Sequence, residues 1–409
     1  MQPRSRRLLI LLTMLVLAAC ATEPAPPKPK LSAYDDAVFP APPALQPQIA
    51  FWRNVYSTWG RHQVALHDNR YLDLVYGVLI LPGDVGESQT AEQKDFVKGH
   101  QNNLQAILRQ LEYKAAANAP LTPAEQALAN RIRASSGGSG ALAGASERLR
   151  TQRGMRERFK RGLEISGRYD AAFRGVFREA GLPEDLAYLP HVESSFQNHA
   201  ASSVGATGMW QFMPDTARHF GMLNAAVDER RDPVASAQGA ARYLRNAHDR
   251  LGSWPSSLTS YNHGVGGMKR AQQAFGNDFV AIVRNHSGTG FGFASRNFYT
   301  EFLAAREIAR NPQRFFPEGV RYEPPLNLDR VRLRQAVNAG ALANYYEVNR
   351  GELIQLNTAW KPAAQTGQIA LPAGTLVWLP AGTVERLAQR GVADRGLALA
   401  DPVATSRLR

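Results

Sequence analysis

Residues 189–217 read LPHVESSFQNHAASSVGATGMWQFMPDTA, and the most informative residue in this stretch is Glu193. Apolar neighbours such as Phe196 disfavour a charged carboxylate at this position. The spacing predicts a helix over 184–196, kinked or broken at Pro190, with Glu193 near its C-terminal end. There the helix dipole also favours the protonated acid. Both effects raise the pKa of Glu193, as a general acid acting near neutral pH requires.

A lone glutamate of this kind is usually an ordinary, half-exposed helix residue, so the surrounding motifs must decide. Ser202 and the Gly-rich turn 205–208 lead into an apolar stretch that carries one amide, Gln211. Further along, Tyr261 and Asn262 precede another Gly-rich segment. The plainer interpretation makes the polar residues loop residues and the glycines turn residues. It also places four apolar side chains in an ordinary core: Met209, Trp210, Phe212 and Met213.

Together these blocks resemble the lytic transglycosylase domain of the goose-type lysozyme superfamily. The family pattern is E-S, a serine nine residues after the glutamate, G-A-x-G-x-x-Q-x-x-P-x-T-A and finally Y-N-x-G, and all blocks occur here in order. The resemblance covers roughly residues 155–310. It implies a lysozyme-like, helical catalytic domain that cleaves the β-1,4 bond between N-acetylmuramic acid and N-acetylglucosamine in peptidoglycan glycan strands.

The resemblance further implies a mechanism with a single glutamate. Most glycosidases use two carboxylates, but turns and helix caps better explain Asp215, Asp228 and Asp232, and the recognised blocks hold no second carboxylate at matching spacing. Glu193 would protonate the leaving oxygen while the substrate 2-acetamido group or enzyme dipoles stabilise the cationic centre. It would then accept the proton of the sugar 6-hydroxyl. The product is a 1,6-anhydro sugar, so the enzyme would be a lyase acting on polysaccharides.

Five further residues take substrate-binding roles from the same resemblance. Ser202 would hydrogen-bond the acetamido group or the catalytic glutamate, and Gln211 would bind substrate amide or hydroxyl groups. Tyr261 would place its hydroxyl beside that glutamate and the scissile bond. Asn262 would shape the site, and Met209 would line the sugar pocket.

One segment departs from the family pattern. After the Tyr-Asn block, relatives often carry Pro-Glu-Thr at the start of the last catalytic helix. This chain instead has SGTGFGFAS at 287–295, although Tyr299 still matches the family tyrosine. We therefore expect a different cleft wall on that side.

Two other functions stay open at this stage. A muramidase of the same fold would hydrolyse the same bond and leave a reducing end. A catalytically silent lipoprotein would keep the scaffold only to bind the cell wall. Product masses from digested sacculi distinguish the lyase from the muramidase. Substitution of Glu193 tests whether the protein is a catalytically silent lipoprotein.

The first twenty residues resemble a bacterial lipoprotein signal. Three arginines precede the apolar run 8–17, and the segment LAAC at 17–20 resembles a lipobox. We predict a signal peptide over 1–19 and lipidation of Cys20, the single cysteine, which also excludes intrachain disulfides and multi-cysteine metal sites. Ala21 resembles the sorting pattern for the outer membrane. The expected location is its periplasmic face in a Gram-negative bacterium, with the lipid as the membrane anchor.

Length and composition predict a globular protein of several domains, because the chain has 409 residues of which 44% are hydrophobic. The expected fold class is mainly α (α+β). Alternating hydrophobic residues predict a β-hairpin within 63–80, and helical spacing predicts a helix over 88–113. The expected divisions are a Pro-rich tether over 20–50, a small α/β N-terminal adaptor over 51–150, the catalytic domain over 151–320 and a C-terminal module over 321–409.

The C-terminal module faintly resembles a LysM peptidoglycan-binding repeat. A helix, the turn ELIQLN at 352–357, a second helix and a closing strand at 376–380 follow the order of that repeat. The usual Gly-Asp-Thr-Leu start is missing, so the repeat is degenerate. Glycan binding and simple packing onto the catalytic domain are both compatible with this sequence.

The net charge of +13 would suit a nucleic-acid partner, but the basic residues do not form a suitable pattern. Three of them lie in the predicted signal peptide, and the rest form no arginine stripe with interleaved aromatic residues. We therefore expect glycan strands and a membrane as partners, and no nucleic acid, metal or cofactor. The sequence leaves protein partners, oligomeric state and exo or endo cleavage open.

Overall fold

The computed structural model of the protein describes residues 37–389 and 400–402. This part is mostly helical with two small antiparallel sheets, so the expected mainly α (α+β) class is confirmed. In the described part of the chain, no helix combines the length and the apolar character that crossing a membrane requires. The predicted signal peptide and Cys20 lie outside the described residues.

The folded part begins earlier than the expected end of the tether at residue 50. A 3-10 turn, Pro43–Leu45, leads into helix α1, Gln46–Ser57, and Phe39 is only 1% exposed. The prolines that suggested extended chain here stand at the first positions of these elements, where a missing N–H costs nothing. Helix α1 buries Trp52 and Val55 in the main core, so residues 39–57 pack with the predicted catalytic domain.

The predicted hairpin is present and gains a third strand. Strands β1, Gln63–Asp68, and β2, Val75–Ile80, pair antiparallel, and β3, Leu149–Arg153, pairs with the other edge of β1. Between them lie α2, Ala91–Ala116, α3, Pro123–Arg133, and α4, Ala145–Arg148. Capping boxes at Thr90 and Thr122 fix the starts of α2 and α3.

The region predicted to be catalytic forms a helical body around the main core. Residues 156–179 form two helices, because the chain turns at Gly167. The predicted helix over 184–196 starts as a 3-10 turn, Glu184–Tyr188, and ends at Glu193. The α-helices of this body are α5, Arg156–Ser166; α6, Asp170–Glu179; α7, Leu189–Glu193; α8, Pro214–His219; α9, Pro233–Leu251; α10, Trp254–His263; α11, Val265–Phe275; α12, Phe279–Asn285; α13, Phe293–Arg310; and α14, Pro312–Phe315.

Local signals explain where α9, the longest helix of this body, begins and ends. The Asp232 side chain accepts the N–H groups of Val234 and Ala235, both at 2.9 Å, and Pro233 follows as the first residue of α9. Gly252 ends α9 in the left-handed conformation. Asp232 is therefore a helix cap, in agreement with the sequence analysis.

The C-terminal module has its own sheet and core. Strand β4, Leu328–Leu333, pairs with β5, Leu376–Pro380, and with β6, Ala400–Pro402. Asn357 joins helix to sheet: its amide donates to Leu353 O, and it exchanges two hydrogen bonds with the Trp378 backbone. The helices of this module are α15, Ala339–Tyr346; α16, Arg350–Leu356; α17, Pro362–Gln365; and α18, Thr383–Gln389.

This module docks on the segment that precedes α9. The Asp228 N–H donates to Ala359 O at 2.8 Å, and the Lys361 N–H donates to Ala226 O at 2.9 Å. The indole N–H of Trp378 donates to the Asp232 carboxylate at 2.5 Å. The docking therefore uses the same aspartate that starts α9.

Candidate active site

Glu193 is the last residue of α7, as the sequence predicted. The chain then turns sharply, because Ser195 and Phe196 both adopt positive φ, at 54° and 59°. Helix α5 accommodates this turn through Gly162, where an added Cβ would lie 2.9 Å from Ser195 O. The turn leaves Glu193 partly exposed at a helix end.

The Gly-rich loop is fastened to the end of α7. The Ser194 hydroxyl donates to Met209 O at 2.9 Å. Gly208 has φ 81°, and an added Cβ would lie 1.8 Å from Arg230 O, so this position requires glycine. Arg230 also donates to Gly205 O and Phe212 O from a buried ion pair with Asp228. The loop is therefore held from both sides.

The carboxyl group of Glu193 is electrostatically suited to carry a proton. Burial, with a smaller contribution from the Glu301 charge, raises the pKa of Glu193 to about 8. The sequence predicted the direction and the first cause of this shift. Nearby His191 stays neutral, because burial lowers its pKa to about 3. Its ring stacks on Phe159 at a centroid distance of 5.1 Å, and this contact packs α7 against α5.

Tyr261 lies within electrostatic range of this glutamate. Burial raises the pKa of the Tyr261 phenol well above its usual value, and the Glu193 charge contributes to this shift. The Tyr261 hydroxyl donates to Trp210 O at 2.9 Å, and its ring packs edge-on against Phe212. The phenol is thereby fixed between α10 and the Gly-rich loop.

The departing segment 287–295 contacts the Tyr-Asn block directly. The Ser295 hydroxyl donates to Asn262 Oδ1 at 2.7 Å, and the Phe291 ring meets His263 edge-on at 5.0 Å. The segment therefore forms a wall beside α10. Tyr299 points away from this wall and donates to Pro40 O at 2.9 Å.

The other predicted binding residues occupy different environments. Ser202 Oγ accepts the Ala206 N–H at 2.9 Å, and the Gln211 amide donates to Gly208 O at 2.7 Å, so both side chains brace the loop. Gln211 has φ 48°, an uncommon conformation for a residue with a side chain. Met209 is 1% exposed and packs in the main core, the alternative considered for it above, so its contact with a sugar stays a prediction. Trp210 and Phe212 are core residues, as expected.

Two groups near Glu193 were missed from the sequence, namely Glu301 and Tyr56. Burial raises the pKa of Glu301 to about 7, and the Tyr56 hydroxyl donates to its carboxylate at 3.2 Å. Both residues lie outside the recognised blocks, so no motif spacing marked them. A usable signal was present for Glu301, because it stands beside Phe302 and Leu303 in an otherwise apolar run.

Among the described residues, no three His, Cys, Asp or Glu side chains form a group that could hold a metal ion. The groups available for chemistry at this site are therefore a protonatable carboxyl, a second carboxyl and two phenols. Such a set suits proton transfer to and from a substrate oxygen.

The site lies within a span that matches a known family. Residues 177–279 match the family model described as Transglycosylase SLT domain. This span contains each active-site residue predicted from the sequence, and it excludes Tyr56 and Glu301.

The chain is also similar to curated proteins over part of its length. It is 28% identical over 197 residues to membrane-bound lytic murein transglycosylase D of Escherichia coli strain K12, which covers 46% of this chain and 41% of that protein. It is 36% identical over 114 residues to membrane-bound lytic murein transglycosylase F 2 of Alkalilimnicola ehrlichii, which covers 26% of this chain and 24% of the relative. The chain thus matches less than half the length of these relatives.

Among solved structures, an inactive mutant of the lytic transglycosylase Slt from Pseudomonas aeruginosa is 21% identical with a TM-score of 0.29. That match covers 38% of this chain and 25% of the other. A likeness this weak has no bearing on the fold or the function.

Proposed function

We propose that this chain, which carries an SLT transglycosylase domain and is similar to membrane-bound lytic murein transglycosylases, cleaves peptidoglycan glycan strands with Glu193 as its acid and then its base. The bond is the β-1,4 linkage between N-acetylmuramic acid and N-acetylglucosamine. The enzyme is a lyase, because its product closes on itself without water.

One observation carries this proposal: Glu193 is a partly exposed residue at a helix end, and burial raises the pKa of its carboxyl group to about 8. At neutral pH the Glu193 carboxyl is protonated in most molecules, so it can donate a proton to the leaving glycosidic oxygen. Ordinary surface glutamates are ionised at this pH and cannot. The neighbouring Tyr261 phenol is uncharged under the same conditions.

The proposed reaction has two proton transfers at the same carboxyl. In the first, Glu193 protonates the bridging oxygen, the bond to carbon one of the muramic acid residue breaks, and the 2-acetamido group stabilises the cationic centre. In the second, the Glu193 carboxylate removes the proton of the 6-hydroxyl, whose oxygen closes onto carbon one. The enzyme returns to its starting protonation state, and the new end is 1,6-anhydro.

The binding roles follow the contacts of the loop. Ser202 Oγ already accepts the Ala206 N–H, and its hydroxyl hydrogen can donate to the acetamido oxygen. Gln211 uses its amide nitrogen within the loop and has its carbonyl oxygen for a sugar hydroxyl or amide. Asn262 shapes the cleft through its bond with Ser295.

Glu193→Gln tests the enzymatic function. The glutamine keeps the shape of the side chain but cannot donate the proton, so we expect release of soluble glycan from purified sacculi to fall at least about 100-fold, the lower range of an acid–base contribution. Glu229→Gln is the matched control, because burial raises the pKa of Glu229 to about 7 at the docking segment, outside the proposed site. Sacculus binding and folding should be retained in both variants.

Product masses decide between the remaining alternatives. Anhydro ends support the lyase, whereas reducing ends would identify a muramidase of the same fold. Equal release by the wild type and Glu193→Gln would show that this glutamate is not the catalytic acid. Binding of sacculi without any release would leave only the silent lipoprotein.

The proposal for localisation and organisation follows the same relatives. Their names call them membrane-bound, and a lipid on Cys20 would anchor this chain to the periplasmic face of the outer membrane. The C-terminal module is proposed as a degenerate LysM-like unit: its strands β4 and β5 flank three helices, α15 to α17. Its hydrogen bonds to the segment before α9 favour a packing role beside any glycan contact.

A further inference from the structure

Two side chains outside the recognised blocks approach Glu193 from two different helices. Glu301 lies on α13, which packs against both α1 and α7. Tyr56 lies on α1, and its hydroxyl donates to Glu301 Oε2 at 3.2 Å. The charge of Glu301 acts on Glu193, and the charges of both act on Tyr56, so the three groups form one electrostatic cluster.

Aromatic stacking fixes the position of Tyr56 relative to α7. Its ring stacks on Phe159 at a centroid distance of 4.9 Å, and Phe159 stacks on His191 at 5.1 Å. His191 lies two residues before Glu193 on the same short helix. The phenol is therefore held at a set place beside the site, although it comes from the N-terminal helix.

We propose that Tyr56 and Glu301 are positioning residues that keep the proton on Glu193 by placing the negative charge of the pair on Glu301. The inference rests on the proposed function, since it assigns these residues to the acid step. Two carboxyls that share a poorly hydrated site resist simultaneous ionisation, so the first to ionise holds the proton on the other. The Tyr56 hydroxyl stabilises charged Glu301 and thereby selects which one ionises first.

The direction of both pKa shifts supports this order. Burial raises the pKa of Glu301 to about 7, with the Tyr56 bond opposing the rise, and raises that of Glu193 to about 8. Two further groups lie near Glu193: the neutral phenol of Tyr261 on α10, and Arg158 on α5, which donates to the carbonyl of the adjacent Ser194 at 3.4 Å.

The test is the pH profile of glycan release by the full chain, measured as kcat/KM on purified sacculi between about pH 5 and pH 9. Glu301→Gln removes the charge that opposes ionisation of Glu193. We expect the alkaline limb to move to lower pH by on the order of 1 pH unit, with less than about a threefold change in rate at pH 5.5. Tyr56→Phe should move the limb in the same direction by less.

Glu307→Gln is the matched control, because Glu307 joins the same two helices through its ion pair with Arg53 at 2.6 Å. It should leave the limb in place. The inference is overturned if Glu301→Gln does not move the limb, or if Glu307→Gln moves it as far. Should Glu301→Gln fail to fold, an unmoved limb in Tyr56→Phe overturns it equally. A wild type that releases no glycan overturns the proposed function as well, whereas cleavage with unmoved limbs overturns this inference alone.

Discussion

Gly208 stands where the Gly-rich loop passes against the backbone of the docking segment. Its φ of 81° and the 1.8 Å separation between a built Cβ and Arg230 O are independent obstacles to any larger residue. The first costs about 1–2 kcal/mol for alanine, and the second forces one of two backbones to move. The loop and the docking segment are thus fitted to each other at a single atom.

Gly208→Ala should lower the free energy of unfolding by about 2–4 kcal/mol and reduce glycan release, because the shifted backbone carries Gln211. Urea denaturation and sacculus digestion measure the two effects. Gly221→Ala is the control: its φ is 72° but nothing lies within 4 Å of an added Cβ, so it should cost only about 1 kcal/mol. Equal losses in the two variants would contradict the clash.

At the residue scale, the sequence predicts those properties of a side chain that depend on its neighbours along the chain. The helix end and the apolar neighbours lie within a few residues of Glu193 in the sequence, and they suffice to predict that its pKa is raised. The bond between Tyr56 and Glu301 joins residues 245 positions apart, and no periodicity encodes such a contact. Met209 shows the converse, because a motif position says little about which way its side chain points.

Helix α9 depends on one aspartate that serves two elements. Asp232 accepts two backbone N–H groups at the start of α9 through Oδ1, and Oδ2 accepts the indole N–H of Trp378 from β5. The cap and the docking contact therefore share one side chain. Each oxygen has its own donor, so the two contributions can be separated by substitution.

Asp232→Ala should cost about 2–3 kcal/mol of unfolding free energy, because it removes the cap and leaves a buried indole N–H unpaired. Asp232→Ser keeps a capping oxygen but is too short for Trp378, and it should recover about 1 kcal/mol. Asp278→Ala, which removes the cap of α12 alone, should cost about 1 kcal/mol. A serine variant no more stable than the alanine variant would contradict the double role.

Elements with a local signature were predictable and those defined by partners were not. The hairpin of β1 and β2 follows from alternating residues around a short turn, and α9 from its Asp-Pro start. Strand β3 adds to the same sheet after 68 intervening residues, and its short, basic sequence resembles a loop. The predicted tether extended too far towards the C-terminus. Composition alone does not distinguish prolines at helix starts from prolines in extended chain.

On the scale of the whole molecule, we predict that a lipid on Cys20 determines where the protein is located. Cys20→Ala removes the thiol that would carry the lipid, so the protein should move from the membrane fraction to the soluble periplasmic fraction. Fractionation followed by immunoblotting measures this. Ala21→Ser keeps the thiol and should stay with the membrane. Unchanged membrane fractionation of Cys20→Ala would count against lipidation.

Helix α1 has a practical consequence for anyone who prepares a shortened version of this protein. The match to the family model starts at residue 177. The core that packs beside the candidate site nevertheless includes Tyr56 and extends back to Phe39. A gene fragment limited to residues 177–279 would expose apolar core surface and lose the Tyr56 hydroxyl that donates to Glu301. Expression fragments should therefore begin before Phe39, which is buried in the same core.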